Sequence, residues 1–341
     1  MGSVKDIEVI EEPSSGSVGQ AVFTFSDRYS VFDWGEMPEH IDDKGEALAL
    51  MGAYTFERLE RNGVKTHYLG LEEDGKIKNL EDLETPSNKM HVKLVNVLEP
   101  EFKEESYDYS DYQNPPNDNY LVPLEIIYRN RIPIGSSARG RYSPADLGLE
   151  MNDWPNEAVS LNEPLLEAST KLEEQDRYVS DEEAGNMSGL SIRKIYEKAA
   201  KVNEIITERA EEIGMQHDDG KAEFLYIDGN IAVGDVAGTF DEDRFTFQGM
   251  QVSKEVLRQG YKKRQPEWVD EVKEAKEKAK KEGIRDWKDL VNTEPQTLGF
   301  EPLVSEMYRA GANKYVGREL FDVRNLSEIM DELKDTLEDS S

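Results

Sequence analysis

The chain contains no cysteine, so it has no disulfide framework and no thiolate that could bind a metal or act as a nucleophile. Its four histidines, His40, His67, His91 and His217, lack the spacing of metal ligands, which argues against a histidine zinc site. Long hydrophobic runs are also absent, and the opening MGSVKDIEVIEEP has no apolar signal-peptide core. We therefore expect a folded cytoplasmic protein without a membrane partner.

Positive charge is scarce in this sequence. Asp and Glu number 72 against 41 Lys and Arg, which gives a net charge of −31. This balance argues against nucleic-acid binding through a general basic surface and against docking on anionic membranes. It is typical of proteins adapted to concentrated salt, where the repulsion between carboxylates is screened. The sequence thus predicts a salt-adapted protein, with an acidic protein from an ordinary cell as the alternative.

The 341 residues are enough for two lobes around a large core. Predicted strands concentrate in the first third of the chain and helices in the last, which indicates an α+β fold. We expect an antiparallel-sheet N-terminal lobe over residues 1–122 and a larger α/β C-terminal lobe over 123–341 that ends in helices. Residues 101–119, with Pro-Pro and Asn-rich turns, predict an inserted surface loop.

Local patterns predict several individual elements. Residues 45–62 and 189–213 space apolar side chains at helical intervals, and each stretch stops at a glycine. Residues 222–238 predict a β-hairpin that turns at Asp228-Gly229. Charged helices are expected within 266–291. From the strand around residue 125 to about residue 184 the sequence predicts a long irregular section.

The stretch VPLEIIYRNRIPIGSS, residues 122–137, joins an apolar run to two arginines and a Gly-Ser turn. Forked guanidinium groups beside exposed amides and hydroxyls suit a phosphate or carboxylate ligand. The competing explanation is a strand that simply ends at the surface, with Glu125 bridging Arg129 or Arg131.

Two carboxylates of the predicted hairpin form a candidate metal site. Glu223 and Asp235 fall on its two strands, so their side chains can converge on one face. Mg²⁺ is usually held by one or two carboxylates together with substrate phosphates. In a chain with 72 acidic residues, a solvated surface pair is the competing explanation. The stretch STKLEEQD, residues 169–176, offers an amine, hydroxyls and further carboxylates.

Six motifs, in the same order, resemble those of the phosphoribosylaminoimidazole-succinocarboxamide synthases, the SAICAR synthetase family. They are SDRYSVFD, DDKG, VPLEIIYRNRIPIGSS, STKLE, DGKAEF and GDVAGTFDEDRF. The chain is identified as a divergent, salt-adapted, haloarchaeal-like member. The resemblance implies a two-lobed fold related to ATP-grasp proteins and kinases.

The resemblance also implies a reaction. The family joins L-aspartate to a carboxyaminoimidazole ribonucleotide, using ATP and Mg²⁺, through an acyl phosphate in purine synthesis. It implies small-molecule substrates and no nucleic-acid partner, and leaves a homodimer as one option for assembly. Two alternatives remain, namely another ATP-dependent carboxylate ligase or kinase on the same scaffold and a non-catalytic nucleotide-binding protein.

Site residues follow from the positions that match the family motifs. The implied metal carboxylates are Glu223 and Asp235, and the implied catalytic residues are Lys221 and Asp241. The residues implied for the nucleotide are Gly16, Gly19 and Lys93. The residues implied for the other substrates are Asp33, Arg129, Ser136, Arg244 and Arg258.

The chain departs from the family pattern within these motifs. Its glycine-rich segment GSVGQAVF has no basic residue, so ATP phosphates must be held by groups elsewhere. One extra residue lengthens the turn after Arg131. Val236 stands where the family has Glu, and Phe240 where it has Pro.

Overall fold

The computed structural model describes residues 5–103, 106–115, 118–284 and 286–338. A five-stranded antiparallel sheet forms the first part of the chain, in the order β1-β2-β5-β3-β4. Its strands are β1 (Lys5–Glu11), β2 (Gly19–Phe25), β3 (Tyr68–Glu73), β4 (Lys76–Lys78) and β5 (Lys89–Leu94).

A small hairpin follows, and then a second, larger antiparallel sheet. The hairpin strands are β6 (Glu101–Lys103) and β7 (Ser106–Asp108). The large sheet runs β10-β9-β8-β11-β13-β14, with β12 also paired to β11. Its strands are β8 (Asn119–Ile132), β9 (Val159–Thr170), β10 (Tyr178–Val179), β11 (Gln216–Ile227), β12 (Asn230–Gly234), β13 (Asp243–Phe247) and β14 (Met250–Val252).

Helices cover the sheets and form the C-terminal part of the described chain. They are α1 (Lys44–Arg61), α2 (Ser110–Gln113), α3 (Asp181–Ser188), α4 (Ile192–Glu212), α5 (Glu255–Arg264), α6 (Pro266–Glu282), α7 (Glu301–Val316) and α8 (Leu326–Glu338). None of the helices in the described ranges is both long enough and apolar enough to cross a bilayer.

The two sheets meet through direct contacts. Thr66 and Val233 form a parallel bridge, and the His67 amide donates to the Val233 carbonyl at 3.0 Å. Helix α1 packs on the first sheet and also against α7, and the Thr55 and Tyr315 hydroxyls lie 3.2 Å apart between these helices. One continuous apolar core therefore runs through both halves.

The predicted α+β class is confirmed, and the predicted helices 45–62 and 189–213 correspond to α1 and α4. The prediction of a long irregular section to residue 184 is wrong, because β9 and α3 lie within it. The predicted loop 101–119 contains β6, β7 and α2, while its residues 104–105 and 116–117 lie outside the described residues. The boundary at 122/123 falls inside β8, and the division into two domains stays a prediction.

Candidate active site

Two neighbouring strands, β8 and β11, form the floor of the candidate site. Alternate residues of β11, namely Asp219, Lys221 and Glu223, share one face, and in the register Asp219 lies opposite Arg129 and Glu223 opposite Glu125. The intervening residues are mostly apolar and buried on the side covered by α4. Strand alternation therefore lines up charged side chains on the open face.

Five side chains of alternating sign run across this face, and we call them the charge ladder: Glu242, Lys221, Glu125, Lys171 and Glu223. Lys221 Nζ lies 3.4 Å from a Glu242 oxygen and 2.9 Å from a Glu125 oxygen. Lys171 Nζ lies 3.2 Å from the same Glu125 oxygen and 2.6 Å from Glu223. The register places Glu125 directly against Glu223, and the two lysines offset the repulsion of these like charges.

Burial and charge compete in the charge ladder. Burial by itself would raise the pKa of Glu125, but Lys221 and Lys171 hold it below its ordinary value. Burial raises the pKa of Glu223, with Lys171 opposing that effect. The pKa of Lys221 is raised above its ordinary range, because Glu242, Glu125 and Glu223 together outweigh the effect of burial. Both lysines therefore remain ammonium ions at neutral pH.

The two residues of the predicted metal pair, Glu223 of the charge ladder and Asp235, lie on neighbouring segments of the large sheet, and their role as metal ligands stays a prediction. Glu223, in the middle of β11, pairs with Gly234, the last residue of β12, and Asp235 follows directly. Asp235 has a left-handed backbone, with φ of 51°. Its side chain forms an ion pair with Lys5, and its carbonyl oxygen lies 3.0 Å from His67 Nε2.

Lys5 is a site residue that the sequence analysis missed. Its ammonium lies 4.6 Å from the Phe23 ring centre and is close enough to Glu223 and Glu242 for both to raise its pKa. Burial outweighs these carboxylates and lowers the pKa of Lys5 to about 8. The available signal was that Lys5 is the only basic residue before Arg28.

A cavity of about 220 Å³ adjoins the charge ladder. Its walls include five of the residues implied by the family motifs: Arg129, Lys221, Asp241, Arg244 and Arg258. These residues come from β8, β11, β13, the turn before β13 and α5, so the fold brings together positions that are far apart in sequence.

Arg129 is held by protein groups on all sides. Its Nε lies 2.9 Å from Glu167, one terminal nitrogen lies 3.1 Å from Asp219, and the other donates to the Tyr178 hydroxyl at 3.0 Å. Arg244 donates to the other oxygen of Asp219 at 2.6 Å. Arg129 thus shapes this end of the cavity, and its predicted contact with substrate stays a prediction.

Asp241 is more deeply embedded than a solvent-exposed catalytic group. Lys44 Nζ lies 3.0 Å from one of its oxygens, and the Tyr308 hydroxyl donates to the other at 2.8 Å. The Lys44 side chain is fully buried at the start of α1. Burial raises the pKa of Asp241, but Lys44 and Lys254 bring it below its ordinary value.

Ser136 lies in the turn after β8, outside the lining of this cavity. Its hydroxyl accepts from the Ala138 amide at 3.3 Å and caps a short 3₁₀ turn. The next residue, Ser137, is 3.2 Å from the Tyr178 hydroxyl, and the Arg141 guanidinium stacks 3.5 Å from the Tyr178 ring centre. The turn therefore reaches the Arg129 network through Tyr178.

Asp33 and Lys93 lie at the edge of the site. The Asp33 side chain is 87% exposed and pairs with Lys276 at 2.5 Å. It adds to the rise in the pKa of Asp176, after the larger effects of burial and Glu125. Lys93 is half-buried on β5, and its charge helps lower the pKa of the neighbouring His67.

Gly16 and Gly19 are not brought to the charge ladder. They lie at the far end of the β1–β2 hairpin from Lys5, roughly 20 Å along the strand at about 3.3 Å per residue. A side chain at Gly19 would put Cβ 2.1 Å from the Glu11 carbonyl oxygen, which explains the glycine structurally. Phosphates bound near Asp235 would therefore meet Lys5, and not the Gly16 turn.

The predicted structural bridge from Glu125 to Arg129 or Arg131 is wrong. Glu125 instead contacts Lys171 and Lys221. Arg131 pairs instead with Asp218 at 2.8 Å. Asp218 is the extra residue of a β-bulge in β11, where the two steps from His217 to Asp219 oppose a single step on β13.

An enzyme that handles phosphorylated, anionic substrates needs such an arrangement of buried cations and carboxylates in one cleft. Residues 2–275 match the family model described as SAICAR synthetase. A curated Archaeoglobus fulgidus protein, provisionally named a phosphoribosylaminoimidazole-succinocarboxamide synthase, is 44% identical over 348 residues, covering 99% of this chain and 100% of that protein. The phosphoribosylaminoimidazole-succinocarboxamide synthase of Thermoplasma volcanium is 32% identical, covering 71% of this chain and 77% of that one. The chain belongs to the SAICAR synthetase family.

Solved structures agree on the fold. A Saccharomyces cerevisiae SAICAR synthase complexed with SAICAR matches with a TM-score of 0.60 and 21% identity, covering 94% of each chain. A SAICAR synthetase in complex with ADP matches with a TM-score of 0.53 and 23% identity, covering 76% of this chain and 88% of that one. At these identities the likeness supports the two-lobed α+β architecture.

Proposed function

We propose that the chain is an ATP- and Mg²⁺-dependent ligase of de novo purine biosynthesis. It joins L-aspartate to the carboxylate of 5-amino-1-(5-phosphoribosyl)imidazole-4-carboxylate and releases ADP and phosphate. Family membership supports this reaction. The observation that carries the proposal is the meeting of Lys5, Lys171 and Lys221 with Glu223 and Asp235 beside one cavity.

The chemistry requires two anions to react. The imidazole carboxylate attacks the γ-phosphorus of ATP, the bond to the β-phosphate oxygen breaks, and an acyl phosphate and ADP form. The aspartate amine, as the free base, then attacks the acyl carbon. Phosphate leaves with the electrons of the broken C–O bond and takes up the proton that the nitrogen loses. Lys5 and Lys221 neutralise the approaching anions, and the carboxylates hold these lysines in place.

Glu223 and Asp235 are suited to Mg²⁺. Both offer hard carboxylate oxygens, and each already faces a cation, Lys171 or Lys5, in this structure. Within the described ranges, no group of three or more protein carboxylates or histidines forms a closed metal cage. A pair of carboxylates matches the usual magnesium site, in which substrate phosphates complete the ligand set and the ion would neutralise phosphoryl charge.

In this proposal the two sheets bind different ligands. The five-stranded sheet supplies Lys5 and Lys93 for the nucleotide, and the seven-stranded sheet supplies the metal pair and the ribonucleotide contacts. Arg244 and the turn at Ser136 are the groups we assign to the ribonucleotide. The acidic composition, with a net charge of −31, supports a salt-rich cytoplasm as the working environment.

An ADP-release assay in high salt tests the proposal. ATP, Mg²⁺, the carboxyaminoimidazole ribonucleotide and L-aspartate are omitted one at a time, and the succinocarboxamide product is identified by mass. We expect product only when all four are present. Turnover that ignores the ribonucleotide would instead indicate another carboxylate ligase or kinase, and no turnover with nucleotide binding intact would indicate a non-catalytic protein.

Asp235→Asn tests the metal pair. Asn tolerates the left-handed backbone at this position, so the fold should survive while activity falls by roughly 100-fold or more. Asp228→Asn is the matched control, because Asp228 has a similar φ of 47° in the same hairpin and is exposed. Unchanged turnover and Mn²⁺ affinity in Asp235→Asn would remove Asp235 from the metal site.

A further inference from the structure

Four carboxylates line the cavity, and three of them are already satisfied by protein groups. Asp219 is held by two arginines, Asp241 by a lysine and a tyrosine, and Asp243 by a tyrosine, a histidine and the Gly238 amide. Glu242 differs, because within the described ranges its carboxylate has one contact, with Lys221 at 3.4 Å. It is therefore the carboxylate with capacity for a ligand.

The cations of the cavity divide in the same way. Arg129, Arg244 and Lys221 are held by carboxylates. Lys254, at the start of α5, has no ion pair or hydrogen bond from its ammonium to any other residue that the structure describes. Arg258, one helical turn later, pairs with Glu255 through one terminal nitrogen at 3.2 Å, and its other terminal nitrogen has no hydrogen-bond partner among the residues that the structure describes.

The free groups are thus one carboxylate and two cations, and all three line the same cavity. We propose that Glu242, Lys254 and Arg258 form the binding site for L-aspartate, an inference that rests on the proposed function. Glu242 binds the α-ammonium group, and Lys254 and Arg258 bind the two carboxylates. An amino dicarboxylate carries one positive and two negative groups, which is the complement of this set.

Charge and size favour this ligand over the ribonucleotide phosphate. A phosphate dianion on Lys254 and Arg258 would also lie near the Glu242 carboxylate, where like charges repel in a partly dry cavity. The cavity, at about 220 Å³, is smaller than the roughly 300–1,000 Å³ typical of sites for larger ligands. Lys221 links Glu242 to Glu125 within the charge ladder, so an amine on Glu242 lies next to the groups assigned to the acyl phosphate.

Protonation does not weaken the site at neutral pH. Burial alone would raise the pKa of Glu242, but Lys221, Lys254 and Lys5 bring it below its ordinary value. The carboxylate therefore remains negative when an ammonium ligand arrives.

The test compares L-aspartate with succinate, which has the same two carboxylates and no ammonium group. In Glu242→Gln we expect the KM for L-aspartate to rise roughly 10- to 100-fold, because a charged hydrogen bond is lost. The KM for the ribonucleotide and the inhibition constant of succinate should change less than about threefold. In Lys254→Met, the KM for L-aspartate and the inhibition constant of succinate should rise together.

Two further variants separate binding from folding. Glu242→Asp keeps the charge and should recover part of the affinity for L-aspartate. Glu274→Gln removes an exposed carboxylate on α6 and should match the wild type in all constants. Thermal unfolding of each variant identifies any that fails to fold. If Glu242→Gln does not fold, the KM for L-aspartate of Glu242→Asp tests the role of Glu242 instead.

The outcomes distinguish this inference from the proposed function. If the wild type turns over and Glu242→Gln leaves the KM for L-aspartate unchanged, the aspartate site is refuted and the proposed function is not. The same holds if Lys254→Met weakens only the binding of the ribonucleotide. If the wild type shows no turnover in the ADP-release assay, calorimetric titration with L-aspartate still tests the aspartate site. Equal affinity of wild type and Glu242→Gln for L-aspartate would then refute the site.

Discussion

The pair of Lys44 and Asp241 supports the wall of the cavity, and its removal is a direct test of that role. Lys44 Nζ lies 3.0 Å from Asp241 and donates to the Arg28 carbonyl at 3.1 Å, with the lysine side chain fully buried. Lys44→Met keeps most of the volume and removes the charge. Asp241 is then left buried with the Tyr308 hydroxyl as its remaining side-chain donor.

The expected loss of stability in Lys44→Met follows from the burial of the ion pair. Breaking a buried ion pair by removing one partner costs about 3–5 kcal/mol, because the other charge stays desolvated. For 341 residues the unfolding entropy is about 0.7 kcal/mol per kelvin, so the melting temperature should fall by roughly 4–7 °C. The double variant Lys44→Met/Asp241→Asn should lose less stability than the sum of the single variants.

The pH dependence of the unfolding free energy is an independent test of the pair. In the wild type the lowered pKa of Asp241 means that the pair stabilises the fold above the unfolded value of about 3.9 and is lost as pH falls through the folded value. In Lys44→Met the charge of Lys44 no longer opposes the effect of burial, so the pKa of Asp241 rises. The folded variant then binds a proton that the unfolded chain does not, so its stability rises as pH falls from neutrality.

Urea unfolding at fixed high salt, between pH 5 and 8, measures both effects. The gap in unfolding free energy between the wild type and Lys44→Met should narrow toward pH 5. Lys280→Met, an exposed lysine of α6, is the matched control and should leave the midpoint unchanged. Additive losses in the double variant, or a gap that widens at low pH, would refute the buried pair.

Three further predictions concern the hairpin, the nucleotide and the surface charge. Gly19→Ala should lower the melting temperature, because its Cβ would lie 2.1 Å from the Glu11 carbonyl oxygen, while Gly16→Ala, which meets nothing within 4 Å, should not. Lys5→Met should lower the affinity for ATP roughly tenfold or more in a binding titration, whereas Lys76→Met on the exposed β4 should leave that affinity unchanged. The urea midpoint should rise between about 0.1 and 2 M KCl, since the Debye length falls from about 10 Å to below 3 Å; a flat response would contradict salt adaptation.

Elements with strong local signals were predictable from the sequence. Helix α1 ends before Gly63 and α4 before Gly214, and both glycines adopt a positive φ that other residues resist. The hairpin β11–β12 turns at Asp228-Gly229, again with positive φ at both positions. In each case the signal lies within a few residues, so it requires no knowledge of the tertiary contacts.

Strand β9 was not predictable in the same way. Its sequence VSLNEPLLEAST contains Pro164, which normally argues against an inner strand. The proline falls in an irregular stretch of the pairing with β8, between Ser160 and Leu165, where no ladder bond is needed. Pairing with the long strand β8 therefore determines this element, and that partner is distant in the sequence.

The site was predictable in its residue types and only partly in its pairings. The family motifs put Lys221 and Glu223 among the site residues, and strand alternation along β11 places both on one face. The partner of Glu125 depended on the register between β8 and β11, which sets Glu125 against Glu223 and so favours a lysine on each side. Lys5 enters the same cluster from the other sheet, which no local pattern could reveal.

The electrostatic design of the cleft follows from the acidity of the whole chain. A net charge of −31 repels ATP and the other anionic substrates at long range. Within the cleft, Lys5, Lys171, Lys221 and Lys254 supply partly buried positive charges that act at short range. Salt at molar concentration screens the long-range repulsion, while the partly buried cations are screened much less. An acidic exterior and a cation-rich cleft are therefore compatible in concentrated salt, because the two act over different distances.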